Sequence, residues 1–198
     1  MTAQVYTFRV TYDGLEDKLW RTIQVSSRYP MNRLGYCILA TFDTLAYHLF
    51  SFKFQDLEFS IPTEWDLVSS QSRDMGAIHL EQLCLQIGDT LELLYDFGAT
   101  QLFRLQLTEI SHMRRGTGAH YPWILAGSGR GILDDCPAEE LAEYIAQIDL
   151  CGKTQEEIYY NECRAPWDYR NYSLEMDNML LKGKIQVIEE GYRPFWAE

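Results

Sequence analysis

The stretch Gly88-Asp89-Thr90-Leu91-Glu92-Leu93-Leu94-Tyr95-Asp96-Phe97-Gly98 constrains this chain most: an alternating apolar run closes on a turn, and a second run, Leu102 to Leu107, begins at once. A period of two places alternate side chains on opposite faces, so two such runs joined by a short Gly-containing connection predict an antiparallel hairpin. Residues 90–97 and 101–110 are therefore expected to pair. An alternating strand leaves one face apolar, so the fold must bring in further strands and a covering layer.

Both are found upstream. Val5-Tyr6-Thr7-Phe8-Arg9-Val10-Thr11-Tyr12 is a β-branched and aromatic run that ends at Asp13-Gly14. In Leu19-Trp20-Arg21-Thr22-Ile23-Gln24-Val25, alternation sets Leu19, Arg21, Ile23 and Val25 on one side and Trp20, Thr22 and Gln24 on the other. After Pro30, Leu34, Cys37, Ile38, Phe42 and Leu45 recur at helical spacing and predict an amphipathic helix over 31–47. The expectation is that 4–12, 19–26, 90–97 and 101–110 share one sheet with that helix on one face. Phe50, Phe52 and Phe54, then Leu57 and Phe59, predict further extended chain.

Residues 62–77 read as a loop or insertion, and Tyr121 to Gly127 as an apolar segment entering a glycine-rich loop. Cys136 is placed as the cap of a helix, with Pro137 at its first position, Glu139 three residues after the cap, and Leu141, Tyr144, Ile145 and Ile148 as its apolar stripe. Helices are predicted at 155–163 and 174–181, and a short final strand around Ile185, Val187 and Ile188. The class is α+β: a mainly antiparallel sheet with helices on one face and a helical, acidic C-terminal part. Residues 1–150 are read as the core, and 151–198 as an extension packed on the same domain.

The chain of 198 residues is long enough to bury a substantial core, and no apolar run approaches the length of a membrane helix. With no basic-then-apolar leader at Met1-Thr2-Ala3-Gln4, the expected compartment is the cytoplasm and no membrane partner is expected. Cysteines 37, 84, 136, 151 and 163 form an odd set without C-x-x-C pairs, against a disulfide framework or a cysteine-rich zinc site. Charge is uneven: residues 1–133 carry 11 Lys and Arg against 14 Asp and Glu, net −3, and residues 134–198 carry 6 against 15, net −9. An acidic surface repels phosphate backbones, so direct nucleic-acid binding is not expected.

Several motifs in order resemble those of the plasmid pRiA4b ORF-3-like family: Leu19 to Val25, His48-Leu49-Phe50-Ser51-Phe52, Tyr95-Asp96-Phe97-Gly98, Tyr121-Pro122, and Leu125-Ala126-Gly127 leading to Asp134-Asp135-Cys136. Tyr172-Ser173-Leu174-Glu175 with Asn178 echoes that family's closing helix. The resemblance implies a compact α+β fold, often encoded on plasmids and transposable elements, with no generally established activity. Where that family continues its turn with acidic residues, Trp and His, this chain has Ala99, Thr100, Gln101, Leu102 and Phe103. Where relatives carry cysteines, it has Ile124 and Gly131, so a cysteine-based metal site is not expected.

Two functional readings follow. The aromatic and acidic residues Glu156, Glu157, Trp167, Tyr169, Glu189, Glu190, Tyr192, Phe195 and Trp196 are of types found at protein interfaces or on acidic surfaces. They predict a non-enzymatic, cofactor-free protein that binds a protein with a basic surface, in one form as an inhibitor mimicking nucleic-acid charge; that it belongs to a mobile element is what the resemblance implies. The alternative rests on His48, Asp96, His120, Asp134, Asp135 and Cys136: a metal-dependent hydrolase or nucleic-acid-processing accessory enzyme with its metal near His48, Asp96 and Asp134. Local roles compete with it, since Asp134 and Asp135 precede a helix and Asp96 sits in a tight turn. On that balance no stoichiometric transition metal is expected.

Overall fold

A computed structural model describes residues 3–62, 72–154 and 166–196. In chain order its elements are strands β1 (Gln4–Tyr12) and β2 (Trp20–Ser26), helix α1 (Met31–Thr41), strands β3 (Phe50–Phe54), β4 (Leu57–Ser60), β5 (Arg73–Asp74), β6 (Thr90–Tyr95), β7 (Gln101–His112) and β8 (Trp123–Ser128), and helices α2 (Ala138–Cys151) and α3 (Leu174–Tyr192). The strands form a single sheet in the order β5-β4-β3-β6-β7-β1-β2-β8, antiparallel throughout except where β5 joins β4. The four strands expected to share a sheet are its consecutive centre, β6-β7-β1-β2, and the fold is α+β.

Register explains which face is buried. Phe8 lies opposite Ile23 and Leu107, and Val10 opposite Arg21 and Leu105, so these side chains share one face. Phe8, Val10, Ile23, Leu105 and Leu107 are fully buried, whereas on the other face Arg9 lies over the Trp20 ring at 3.4 Å, half-buried. A bulge in β7 leaves Thr108 unpaired between Leu107 and Glu109, and its hydroxyl donates to the Thr7 carbonyl at 3.0 Å.

Helix α1 covers the apolar face. Phe42 beyond its end packs on Phe103 of β7 at 4.8 Å, and Gly35 lies against Phe50 of β3, where a Cβ would come within 2.2 Å of the ring. The helix stops at Thr41 rather than running to 47, because Asp43 and Ala46 take left-handed conformations that turn the chain toward β3. Helix α2 begins one residue later than expected, with Pro137 as its cap and no side-chain capping bond, so the capping box at Cys136 does not form.

The C-terminal reading is corrected most. Ser173 caps α3 through the Met176 N–H at 3.3 Å, and the helix continues through the segment expected to be a strand. Asp177, Leu181, Ile185, Ile188 and Tyr192 recur at three- and four-residue spacing and are all buried, a helical stripe that outweighs the β-branched character of Ile185, Val187 and Ile188. The expected helix at 155–163 and most of the 62–77 loop lie outside the described residues.

A buried charge ties the elements together. Arg21, 1% exposed on the apolar face of β2, donates from Nε to Thr41 O at 3.1 Å and from a terminal nitrogen to Trp20 O at 2.9 Å and Ser128 O at 2.8 Å. Its guanidinium lies over the Tyr172 ring at 4.1 Å and 3.4 Å from an Asp177 carboxylate oxygen. Gly127 allows that approach, since a Cβ there would meet the Tyr172 hydroxyl at 2.5 Å and Arg21 Cδ at 2.8 Å. Strand β8 is the sheet's edge, and Asn178 of α3 closes it with two 2.9 Å bonds, accepting from Ile124 N and donating to Ile124 O.

Candidate functional site

Three segments far apart in sequence meet beside the β6–β7 turn. Asp96 adopts a left-handed conformation, and one carboxylate oxygen accepts from the N–H groups of Gly98 at 3.1 Å and Ala99 at 3.3 Å. That is the local turn role expected of it. The other oxygen, on a side chain only 7% exposed, faces His48 Nε2 at 3.5 Å. His48 enters from the α1–β3 connection, its carbonyl accepting from the Tyr192 hydroxyl and its ring packed on Tyr47 and Tyr95. Asp135 arrives from the segment before α2 and places Oδ1 2.8 Å from the same His48 nitrogen.

The electrostatics of the two adjacent aspartates diverge. Asp135 is exposed, and the Tyr47 hydroxyl, followed by His48, holds its carboxyl below the usual carboxylate range. The same hydrogen bond pushes the Tyr47 phenol up. Asp134 points elsewhere: it accepts from the Tyr95 hydroxyl at 2.6 Å and Leu45 N at 2.8 Å, and burial pushes its carboxyl up despite both bonds.

Of the residues expected for a polar site, His48, Asp96 and Asp135 converge, with ligand atoms all within 4.8 Å of one another. Asp134 is a supporting neighbour. The Cys136 thiol is buried and pushed up to about 12, first by burial and then by Glu140, so it stays protonated and is no nucleophile. His120 stacks on Trp123 of β8 at 5.0 Å and does not join the cluster. Sequence reasoning missed Tyr47, Tyr95 and Gln101. Gln101 occupies a fully buried register position of β7 and donates to Leu133 O at 2.7 Å and Cys136 O at 2.8 Å, holding the aspartate segment against the sheet. A Gln in phase with the buried Phe103, Leu105 and Leu107 was the available signal.

The expected C-terminal interface divides. Trp167, Tyr169 and Tyr192 are buried in this chain's own core; Tyr169 donates to Asp149, and Tyr192 stacks on Tyr36 at 5.4 Å. Phe195 is exposed, Glu189 pairs with Arg33 at 3.3 Å, and Glu190 accepts from Gln186 at 3.0 Å. Trp196 closes the chain's last 3-10 turn, and Glu156 and Glu157 lie outside the described residues.

In place of the aromatics, α3 exposes a second stripe. Met176, Leu180, Gly183 and Val187 follow a four-three-four spacing along a helix face turned roughly 130° from the buried stripe, and Met176, Leu180 and Val187 are 51%, 43% and 69% exposed. Apolar grooves flank it, one lined by Ala40, Leu45 and Val187, the other by Trp123, Leu125 and Met179. A Cβ at Gly183 or Gly191 would meet no atom within 4 Å, so packing inside the chain does not require either glycine.

Among solved structures, one of a protein of unknown function from Methanosarcina mazei Go1 is similar to this chain, with a TM-score of 0.70 and 20% sequence identity over 88% of this chain and 97% of that one. At that identity the likeness shows the fold alone. A comparison with curated proteins gives no match. The sequence profile of the plasmid pRiA4b ORF-3-like proteins matches residues 4–177, from the first strand into α3, and the chain belongs to that family.

Proposed function

We propose that this protein works by binding another protein, and that the outer face of α3 is the docking surface. The observation that carries this reading is the exposed stripe of Met176, Leu180, Gly183 and Val187. Large apolar side chains at coiled-coil spacing, turned away from their own core, match the way amphipathic helices recognise one another. Methionines adapt to an incoming surface, and the glycines let a second helix approach closely.

Charge selects the partner's chemistry. Glu175 and Glu190 are exposed along α3, where Lys182 is held by the Ala119 carbonyl, Lys184 by Asp43 and Glu189 by Arg33, in a chain of net charge −12. The occupant is therefore a helix with an apolar ridge and basic flanks, which narrows the expected partner with a basic surface to a specific shape. An inhibitor that engages a basic nucleic-acid-binding protein is one form of this reading. The surface is acidic and aliphatic rather than acidic and aromatic, since Trp167, Tyr169 and Tyr192 are committed to the core.

The test uses two helical peptides with leucines at the same spacing, one flanked by lysine and the other by glutamate. The basic peptide should bind the wild-type protein, lose affinity on Leu180→Glu with Val187→Glu, and associate more slowly at high salt. Equal binding of both peptides, unchanged binding by the double variant, or self-association that buries the stripe would refute the proposed occupant.

A further inference from the structure

We propose that His48, Asp96 and Asp135 form a binding site for one divalent first-row transition metal ion, independent of docking on α3. Each carboxylate uses one oxygen for orientation and turns the other toward the same imidazole nitrogen. Asp96 is held through Oδ1 by the N–H groups of Gly98 and Ala99, and its Oδ2 faces His48 Nε2 at 3.5 Å. Asp135 is held through Oδ2 by the Tyr47 hydroxyl, and its Oδ1 faces that nitrogen at 2.8 Å. Outer hydrogen bonds that fix ligand orientation in this way are the usual support of a metal centre.

Proton counting points the same way. His48 Nε2 can carry one N–H, which the 2.8 Å contact to Asp135 takes. Asp96 Oδ2, on a side chain only 7% exposed, then has no hydrogen-bond donor among the described residues, with His48 Nε2 at 3.5 Å its one charged neighbour there. A cation at the centre of the triangle satisfies both carboxylates and the imidazole lone pair together. Ligand atoms at roughly 2.0–2.2 Å from a metal lie about 3–3.5 Å from one another; the two carboxylates stand 2.8 and 3.5 Å from His48 Nε2, and all three ligand atoms lie within 4.8 Å, so a small inward movement of the carboxylates closes the triangle on an ion.

The donor set identifies the class of ion. One imidazole with two carboxylates is a borderline-to-hard set without thiolate, suited to Mn2+, Fe2+ or Zn2+ rather than Cu+, and two carboxylates neutralise a divalent charge. Three protein ligands leave further positions open, and exposed Asp135 gives solvent access to them. The sequence alternative of a metal near His48, Asp96 and Asp134 is thereby redrawn with Asp135 as the third ligand, since both Asp134 oxygens already accept hydrogen bonds from Tyr95 and Leu45.

Mn2+ is the probe, because the electron paramagnetic resonance signal of the free aqueous ion is lost on binding. Chelator-treated and dialysed full-length protein should remove one Mn2+ per chain from that signal, in competition with Zn2+. Asp135→Asn and His48→Gln should each weaken binding by more than about tenfold, while His120→Ala leaves it unchanged. Asp96→Asn keeps an acceptor for Gly98 and Ala99 and serves as the variant that preserves the turn; it too should weaken binding, with an unchanged circular dichroism spectrum. Persistence of the free signal at millimolar metal, or equal binding by wild type and the three ligand variants, would overturn the site.

Discussion

Replacing Arg21 by Met tests whether the buried guanidinium is the joint between the sheet and α3. Methionine keeps an unbranched stem of similar reach and remains apolar on a face where Ile23 and Val25 are fully buried. It removes three hydrogen bonds, to Thr41 O, Trp20 O and Ser128 O, and leaves the Asp177 carboxylate, 8% exposed, without its guanidinium. Burial pushes the Asp177 carboxyl up and the Arg21 guanidinium down, and the opposite charge of each partner works against the other's shift. Lys184, 3.5 Å from the other Asp177 oxygen, moderates the loss without replacing the bonds. Breaking such a pair costs about 3–5 kcal/mol, and with a urea m-value of roughly 2–3 kcal/mol/M the unfolding midpoint should fall by about 1–2.5 M. Tryptophan fluorescence against urea measures it. The double variant Arg21→Met with Asp177→Leu removes both charges and should recover more than about 1 kcal/mol of that loss. A single-variant cost under about 1 kcal/mol, or costs that simply add in the double, would refute the argument.

Gly35→Ala should destabilise by about 1–3 kcal/mol although alanine is the better helix former, because its Cβ would lie 2.2 Å from the Phe50 ring; thermal unfolding measures the change. In metal-free buffer, the carboxyl of Asp135 is held low by Tyr47 and His48, so its contribution is present above the ordinary aspartate range and lost as pH falls through its folded-state value. The difference in melting temperature between wild type and Asp135→Asn should therefore be largest near neutrality and shrink toward pH 3; a constant difference would contradict the assignment. Among the described cysteines, exposed Cys84 and Cys151 should react with a thiol reagent in the native state, while Cys37 and Cys136, buried with thiols pushed up to about 12, should react only on unfolding; mass mapping of labelled peptides distinguishes them.

Period-two alternation made the sheet's centre legible, because it depends on neighbours in sequence and survives any tertiary arrangement. Arg21 fell in phase with Leu19, Ile23 and Val25, and that phase was structural truth: the charge is buried because the backbone carbonyls of Thr41, Trp20 and Ser128 come to it. Two of the three come from the end of α1 and the edge strand β8, neither of which local pattern can place. The length of α3 was obscured by its two apolar stripes. Residues 185–188 carry inward Ile185 and Ile188 beside outward Val187, and such a run resembles a buried strand when the window is shorter than two helical turns.

The polar cluster was legible only in its parts. Asp96 announces itself by its turn, and that local explanation accounts for one of its two oxygens, leaving the other free for a tertiary role. His48 and Asp135 lie 87 residues apart and meet because the chain leaves α1 through the left-handed residues Asp43 and Ala46, while Gln101 pins the 133–136 segment to β7. Gln101 stands in the stretch where the family resemblance implies acidic residues, Trp and His. Its amide holds the carbonyls of Leu133 and Cys136, on either side of the aspartates, so this strand residue positions the loop that carries Asp135. A local reason for one atom of a side chain is thus no argument against a distant role for another, and the two oxygens of Asp96 carry both.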